Sequence, residues 1–350
     1  MDVVLDIETD SLDANVIHCI VAKERESGKF HIWKEEECYK YFPLFAKRVN
    51  KFIMHNGISF DAPVLNRLTG TRIRLSQIED TMILSQLTDP VREDGHSLQA
   101  WGNRFDFHKI EFKNFTHLSD EMITYCKRDV DITERVWISL QDDIKNIDRR
   151  SIDLEYTIRL LVSKQERNGF TLNLEKAMGL NAKLQDKSDQ LEKEVQESFT
   201  PRPIPIKEIN PRYKKDGSLS LVGLKHIKDP STVAGPHTSI DYQTFNLSSR
   251  QQIVSRLIKC GWEPQKFTEK GHAIVDEGVL RDVNIPQAQM IADYLTLKKR
   301  IAQVKSWVDA VDKDGKVHGQ VLTLRAISGR MAHHSPNMAQ VPASYSLYGK

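Results

Sequence analysis

The sequence lacks the features that mark secreted, membrane-spanning or disulfide-bonded proteins. Its four cysteines are scattered and form no CxxC pair, which argues for reduced thiols and against a zinc site or a disulfide scaffold. The acidic N-terminus has no basic segment followed by an apolar run, so we expect no signal peptide. No apolar stretch approaches the roughly 20 residues that cross a bilayer, so we expect no membrane partner. Together these absences indicate a cytoplasmic protein.

The chain of 350 residues is long enough for two or three domains, and its charge is unevenly distributed. Basic residues outnumber acidic ones nine to three from residue 295 onward and seven to three over 201–240, although the net charge is only +2. The rest of the chain is therefore acidic. Basic segments on an acidic chain suggest a polyanionic partner, and a solvated lysine-rich face explains the same charges equally well.

Hydrophobic periodicity predicts a mixed α/β domain at the start of the chain, followed by a mainly helical region. Strands of the first domain are expected at residues 2–7, 16–23, 29–33 and 51–55. Helices are expected at residues 62–68, 80–87, 98–104, 119–140, 152–168, 174–199, 248–260 and 286–311. Residues 201–245, rich in Pro, Lys and Arg, show little periodicity and are interpreted as an extended basic loop. The alternating pattern at 316–324 predicts another strand.

The first predicted strand carries two carboxylates inside an apolar run. In "VVLDIETDSL", residues 3–12, the apolar side chains at 3, 5 and 7 point to one face, whereas Asp6 and Glu8 share the other. Two like charges on a half-buried strand repel each other and are costly to desolvate. A divalent cation is the usual compensation, so this pair is a candidate metal site.

Two further stretches carry acidic side chains that can join this pair. "HNGISFDAPVL" ends a strand and begins a helix, with Asp61 at the junction. "YCKRDVDIT" lies inside the predicted 119–140 helix and sets Tyr125 and Asp129 on one face. Four carboxylates around one point suit Mg²⁺ or Mn²⁺, and two such ions about 3.5–4 Å apart clamp both oxygens of a phosphodiester displacement. Each stretch also has a simpler explanation when it is taken alone. The first can be a charged strand edge, the second a turn and the third an ordinary polar helix face.

In their order and context, these three stretches resemble the three exonuclease motifs of 3′–5′ proofreading nucleases with a DEDD carboxylate set. Tyr125 is typical of the tyrosine subclass. The resemblance implies an RNase H-like fold around a mixed sheet and two divalent metal ions, Mg²⁺ or Mn²⁺. It further implies that Asp6, Glu8 and Asp129 bind the first ion. Asp6 would bridge to the second ion, which Asp61 would reach largely through water.

The same resemblance assigns roles to four residues around the reacting bond. It implies that Tyr125 holds the nucleophilic water. Thr9, Leu12 and Asn56 match positions that contact the 3′-terminal nucleotides, with Leu12 as an apolar wedge against a base. A packing leucine and a turn asparagine are the alternatives for Leu12 and Asn56.

The second half of the chain resembles the thumb and the start of the palm of family A DNA polymerases, most closely those of short-tailed phages. The stretches that carry this likeness are "LLVSKQERNGF", "FNLSSRQQIVSRLIKCGWEPQKFTEKG", "YLTLKKRIAQ" and "DGKVHGQV". "SGRMAHHSPNMAQVP" is similar to the first palm motif and implies that Arg330 and Asn337 contact DNA. Arg330 would read acceptors common to every base pair in the minor groove. A basic loop at a strand end is the alternative for Arg330.

The resemblance implies three regions: an RNase H-like exonuclease domain at 1–145, a mainly helical, thumb-like region at 146–311, and an incomplete palm at 312–350. The polymerase's own catalytic aspartates are expected beyond the palm motif, so we expect this chain alone not to polymerise DNA. On this interpretation the chain is either a fragment of a longer polymerase or one half of a split polymerase, in which a second chain supplies the rest. Host thioredoxin, which docks on a thumb insertion in the short-tailed phage enzymes, is a possible partner of the loop 201–245. A solvated linker, or a loop that follows phosphates, is the alternative.

Three functions compete on these grounds. The first is a 3′–5′ exonuclease that proofreads DNA as part of a phage-type family A polymerase in the cytoplasm of an infected bacterium. Its partners would be single-stranded 3′ ends and primer–template DNA. The second is a DNA-binding subunit of a split polymerase, which the complete carboxylate set argues against. The third is a stand-alone RNA-trimming exonuclease, which the palm-like motif argues against.

Overall fold

The computed structural model describes residues 1–220, 224, 227–229, 232–233 and 235–343. Parts of the predicted basic loop 201–245 and the last seven residues of the predicted palm lie outside these described residues. The chain forms two compact units, one made of residues 1–171 with 312–340 and the other containing residues 172–311. Across the described ranges, no helix has both the length and the apolar character needed to cross a membrane.

A five-stranded mixed sheet forms the centre of the first unit, in the order β3-β2-β1-β4-β5. Its strands are β1 (Asp2–Thr9), β2 (Ile17–Glu24), β3 (Phe30–Lys34), β4 (Lys51–Met54) and β5 (Ile78–Asp80). β2 is antiparallel to β1 and β3 to β2, whereas β4 is parallel to β1 and β5 to β4. The four predicted strands are confirmed, and β5 escaped prediction because three residues are too few for a periodic signal.

Seven helices of the described chain accompany this sheet. They are α1 (Glu36–Lys40), α2 (Phe42–Ala46), α3 (Asp61–Thr69), α4 (Thr81–Thr88), α5 (Leu98–Arg104), α6 (Asp120–Ile144) and α7 (Arg149–Asn168). α6 begins as predicted, because the Ser119 hydroxyl accepts a hydrogen bond from the Met122 amide. The two shortest helices, α1 and α2, were not predicted, since neither is long enough to show a helical period.

Both faces of β1 are buried, which places its two carboxylates in an apolar environment. Val3 and Leu5 point into the larger core of the unit, which α3, α4 and α7 also line. Val4 points into a second cluster, where it packs with Cys126 and Val130 of α6. Because side chains alternate along a strand, Asp6 and Glu8 continue the face that α6 covers.

The second unit is built on two long helices. α8 (Leu174–Ser198) and α11 (Pro286–Asp309) pack through Ala177 and Leu184 of one and Leu297 and Val304 of the other. α9 (Arg250–Lys259) and α10 (Glu277–Arg281) complete a second apolar cluster of this unit. The seven-residue spacing within each pair is two helical turns, so each helix presents one continuous stripe to the other.

The predicted loop at 201–245 is wrong in part, because its two ends form an antiparallel hairpin. β7 (Arg202–Ile209) pairs with β8 (His237–Gln243), with a register shift between Pro205 and Lys207. Pro203 and Pro205 concealed the strand in the sequence. Proline is tolerated in a two-stranded ribbon, since one side of each strand needs no amide donor.

The chain returns to the first unit through short strands. β9 (Lys316–Val317) pairs with β6 (Phe170–Thr171), and β10 (Gln320–Leu322) pairs with β11 (Ala332–His334). The strand predicted at 316–324 is therefore present as two pieces, and each has a partner.

Candidate metal centre

Asp6 and Glu8 lie near the C-terminal end of β1. The pairing of β1 with β2 is regular up to Glu8, which faces Cys19, and shifts by one residue between Glu8 and Thr9. Such a bulge re-aims the side chains at its position. One ligand atom each from Asp6, Glu8 and Cys126 lie within 4.8 Å of one another. The Cys126 thiol of α6 donates to Asp6 Oδ2 at 3.4 Å.

Asp61 reaches this cluster through a tight turn after β4. Asn56 has a φ of 64°, a left-handed conformation that asparagine adopts more readily than most residues. A Cβ on Gly57 would lie 2.3 Å from the Cβ of Met54, so only glycine fits there. The turn leads directly into α3, whose first residue, Asp61, is 4% exposed. Burial, and then the charge of Asp6, raises the pKa of the Asp61 carboxyl, which indicates that the two side chains are near each other.

A fifth buried acid, Asp80, fixes this turn. It caps α4 and accepts hydrogen bonds from the backbone amides of Asn56 and Ile58, each at 3.1 Å, and of Met82 and Ile83. Four backbone donors to one carboxylate hold the turn and the helix start in a single geometry. Asp80 therefore positions the turn, and its charge also contributes to the raised pKa of Asp61.

Tyr125 and Asp129 lie one turn apart on α6, as predicted. Asp129 is 3% exposed, and its Oδ2 accepts a 2.5 Å hydrogen bond from Lys109 Nζ. The same ammonium lies 4.7 Å from the centre of the Tyr125 ring. The rings of Phe112 and Phe115 pack on Tyr125 with centroid distances of 5.4 and 5.9 Å. Packing on three sides therefore fixes the phenol beside the carboxylates.

The carboxylates of the cluster resist ionisation in the absence of a cation. Burial raises the pKa of Asp6 to about 7, with a further increase from the charge of Asp129. Burial, and then the charge of Asp6, raises the pKa of Glu8 to about 10. The pKa of Asp61 rises for the same two reasons. Burial also raises the pKa of Asp129, against which Lys109 acts.

The residues present fit a divalent cation. Asp129 Oδ1 is buried and has no hydrogen-bond partner among the described residues. This oxygen is therefore available as a ligand on the acid that Lys109 already holds through Oδ2. The carboxylates that β1, α3 and α6 contribute offer the oxygen ligands that Mg²⁺ and Mn²⁺ prefer. A bound cation would favour the ionised form of every carboxylate whose pKa is raised.

The residues predicted to contact DNA have varied surroundings. The Thr9 hydroxyl donates to the Ser11 carbonyl at 2.9 Å, and the side chain of Leu12 is 91% exposed. Arg330 is exposed in a turn, and Asn337 Oδ1 accepts from the Ala339 amide. The exposure of Leu12 disfavours a packing role for it. The roles of all predicted site residues stay predictions.

Sequence reasoning missed Lys109, Asp80 and the two phenylalanines behind Tyr125. Lys109, Phe112 and Phe115 belong to segment 105–119 between α5 and α6, which has no regular structure. Without a period, the sequence carries no signal of which side chains turn inward. Asp80 was assigned only as the start of a helix, and its second contact depends on β4 lying beside β5.

Comparison with known proteins defines the class of this fold and site. Residues 1–145 match the family described as 3'-5' exonuclease, and residues 231–348 match DNA polymerase family A. These regions belong to those two families, and the first has the RNase H-like fold that its mixed sheet shows. The chain therefore corresponds to the N-terminal part of a phage-type family A DNA polymerase.

Two curated relatives are phage enzymes that match almost all of the chain. It is 28% identical to the DNA-directed DNA polymerase of Enterobacteria phage T3 and 27% identical to that of Escherichia phage T7. Each alignment covers 99% of this chain and 64% of the relative, so the chain spans less than two-thirds of the length of either relative.

A solved structure shows the same fold. It is the POL domain of Pol1 from M. smegmatis in complex with DNA primer-template and dNTP. It superposes with a TM-score of 0.67 at 15% identity, over 99% of this chain and 53% of that one.

Proposed function

We propose that the first unit removes nucleotides from the 3′ end of DNA by metal-dependent hydrolysis, as the proofreading exonuclease of a family A polymerase. One observation carries this proposal. Asp6, Glu8, Asp61 and Asp129 are near enough to one another that, after burial, the charge of Asp129 raises the pKa of Asp6 and the charge of Asp6 raises the pKa of Glu8 and Asp61. Lys109 is the one cation of the described residues within ion-pair distance of any of them. Such a cluster is unfavourable unless cations bind it.

The substrate follows from the rest of the chain. Residues 231–348 belong to DNA polymerase family A, and the named relatives are DNA-directed polymerases. A polymerase presents its nuclease with the 3′ end of a DNA strand, which supports DNA over RNA as the substrate. The basic residues that outnumber acidic ones from residue 295 onward provide counter-charges for a DNA backbone.

In the proposed reaction, the protein residues position the groups that react. Two divalent ions, when bound, would activate water and stabilise the charge on the leaving oxygen. Asp6, Glu8 and Asp129 would hold the first ion, and Asp61 the second. The Tyr125 phenol would orient the attacking water, because burial raises its pKa to about 12 and keeps it protonated as a donor. Leu12 would lie against the terminal base, with Thr9 and Asn56 on the same nucleotides.

The test is hydrolysis of a 5′-labelled single-stranded DNA with Mg²⁺, Mn²⁺ or EDTA. We expect a shortening ladder in either metal and none in EDTA. Tyr125→Phe keeps the ring that packs on Phe112 and Phe115, and we expect hydrolysis about 10- to 10²-fold slower. No shortening in either metal would contradict the proposal, and full activity of Tyr125→Phe would contradict the role of the phenol.

A parallel reaction separates this function from that of a DNA-binding subunit. With dNTPs and a primed template, we expect no extension by this chain. Tight, salt-sensitive binding without shortening would favour a split polymerase that needs a second chain. A second chain and thioredoxin at 201–245 stay predictions, as does action in the cytoplasm of an infected bacterium. Arg330→Ala should weaken binding to primed template more than to single strands, and equal loss would make Arg330 a general phosphate contact.

A further inference from the structure

Lys109 is a charged group in this centre to which the proposed reaction gives no role. It belongs to segment 105–119 and extends over α6, where it contacts two of the proposed functional side chains. Its Nζ lies 2.5 Å from Asp129 Oδ2 and 4.7 Å from the centre of the Tyr125 ring. The side chain is only 22% exposed, so the charge is held inside the site and not on the open surface.

The segment on both sides of Lys109 is fixed to the fold. The carbonyl of His108 accepts a hydrogen bond from Arg128 Nη1 of α6 at 3.1 Å. Further along, the ring of Phe112 packs on Tyr125, and the Phe115 carbonyl lies 3.0 Å from Nε2 of His18 on β2. A lysine between such anchors loses little further freedom when it binds, in contrast to a surface lysine on a mobile loop.

The contact with Asp129 is compatible with a bound cation, because it uses one oxygen only. Lys109 occupies Oδ2, and Oδ1 is buried without a partner among the described residues. Lys109 therefore sets the rotation of the carboxylate and directs the free oxygen. With two divalent ions bound, the four carboxylates would be neutralised and the charge of a phosphodiester would remain, for which Lys109 would supply one positive charge.

We propose that Lys109 is a positioning residue of the nuclease: it orients Asp129 and Tyr125 and supplies a fixed positive charge beside the cation site. This inference rests on the proposed function. It predicts opposite effects on two properties. Removing the charge favours cation binding, since a neighbouring positive charge repels the ions, whereas loss of orientation slows hydrolysis.

The test measures cation binding separately from hydrolysis. MnCl₂ is titrated calorimetrically into metal-free wild type, Lys109→Met and Lys109→Arg without DNA, and hydrolysis is then measured at saturating Mn²⁺. For Lys109→Met we expect about tenfold tighter Mn²⁺ binding and about 10²-fold slower hydrolysis. Lys109→Arg retains the charge, so its Mn²⁺ affinity should match wild type and its rate should be largely restored.

Lys23→Met is the matched control. Lys23 binds the same helix, with Nζ 2.8 Å from Asp131 and 2.7 Å from Glu134, and its side chain is 18% exposed. Its loss should lower the melting temperature without changing Mn²⁺ affinity or hydrolysis. Equal or weaker Mn²⁺ binding by Lys109→Met would overturn the inference, and so would a wild-type rate in that variant. If the wild type itself hydrolyses no DNA, the proposed function fails, and the calorimetric shift still decides for or against the charge of Lys109.

Discussion

Two acidic sites belong to the sheet of the first unit, and they differ in how their charge is balanced. Glu79 on β5 binds Lys51 and Arg149, each at 2.8 Å, and accepts a hydrogen bond from the Tyr156 hydroxyl. Of the four carboxylates assigned to the candidate site, only Asp129 has an ion-pair partner among the described residues, and that partner is Lys109. The first site is balanced within the protein. The second has little positive charge from the protein, so burial keeps Asp6 and Glu8 from ionising readily. This difference separates a structural acid from a candidate metal ligand.

Asp80 shows that burial alone does not mark a metal ligand. It is 1% exposed, more buried than Glu8 or Asp129, yet four backbone amides satisfy it. A carboxylate with several backbone donors is complete without a cation. A buried carboxylate oxygen without a hydrogen-bond partner among the described residues, such as Asp129 Oδ1, is therefore a more specific indication of a metal ligand than burial.

The largest expected effect comes from removing Asp6 and Glu8, the two carboxylates of β1. Asp6→Ala combined with Glu8→Ala should reduce hydrolysis at least about 10⁴-fold, because both ions lose ligands. The fold should remain intact, since the change also removes two carboxylates that are costly to bury. Single-turnover hydrolysis and thermal unfolding without metal measure the two effects. Retained hydrolysis in this variant would remove the metal assignment.

The turn that places Asp61 should be the next most sensitive point. Gly57→Ala introduces a Cβ 2.3 Å from Met54 Cβ and should destabilise the protein by about 1–3 kcal/mol. It should also weaken Mn²⁺ binding, because Asp61 begins the helix that follows. Gly179→Ala in α8 is the control: no atom lies within 4 Å of its added Cβ, and helix propensity predicts a gain of up to about 1 kcal/mol. Similar melting temperatures for the two variants would contradict this account of the turn.

Glu79→Gln should have the opposite effects to the double variant: it should lower stability and leave metal binding and hydrolysis unchanged. It removes the charge that Lys51 and Arg149 share, and should destabilise the protein by about 1–2 kcal/mol. Mn²⁺ affinity and hydrolysis should stay at wild-type values. Denaturant unfolding and calorimetry measure these quantities side by side. A loss of Mn²⁺ binding at unchanged stability would remove the distinction between the two sites.

The smallest expected effect is a pH dependence of stability. In the native state the pKa of Asp6 is raised to about 7 and that of Glu8 to about 10, so the native protein binds more protons than the unfolded chain between pH 4 and 10. Their contribution to stability is therefore present at low pH and lost as pH rises. In EDTA, the melting temperature of the wild type should fall more than that of the double variant from pH 6 to pH 9. An equal pH dependence of the melting temperature in the wild type and the double variant would contradict the raised pKa values of Asp6 and Glu8.

The sequence predicts the elements that have strong periodicity and the residues whose positions depend on local pattern alone. β1 with Asp6 and Glu8, and α6 with Asp129, follow from alternation and helical spacing. Asp61 was expected where a strand ends and a helix begins, and the grouping of the four carboxylates rested on the resemblance to proofreading nucleases. Lys109 could not be predicted, because its position depends on how segment 105–119 folds over α6. β7 and β8 were hidden by prolines, and β5 was too short to show alternation. Contacts between residues distant in sequence carry no local signal.

The most direct test of an unbalanced cation site is Mn²⁺ calorimetry in two buffers of different ionisation enthalpy at pH 7 and pH 9. We expect two Mn²⁺ ions per chain and a release of protons that decreases between these pH values, because carboxyls with raised pKa must ionise to bind metal. The variant with both Asp6→Ala and Glu8→Ala should show neither. Binding without proton release, or equal Mn²⁺ binding by that variant, would contradict the assignment of this cluster as the metal centre.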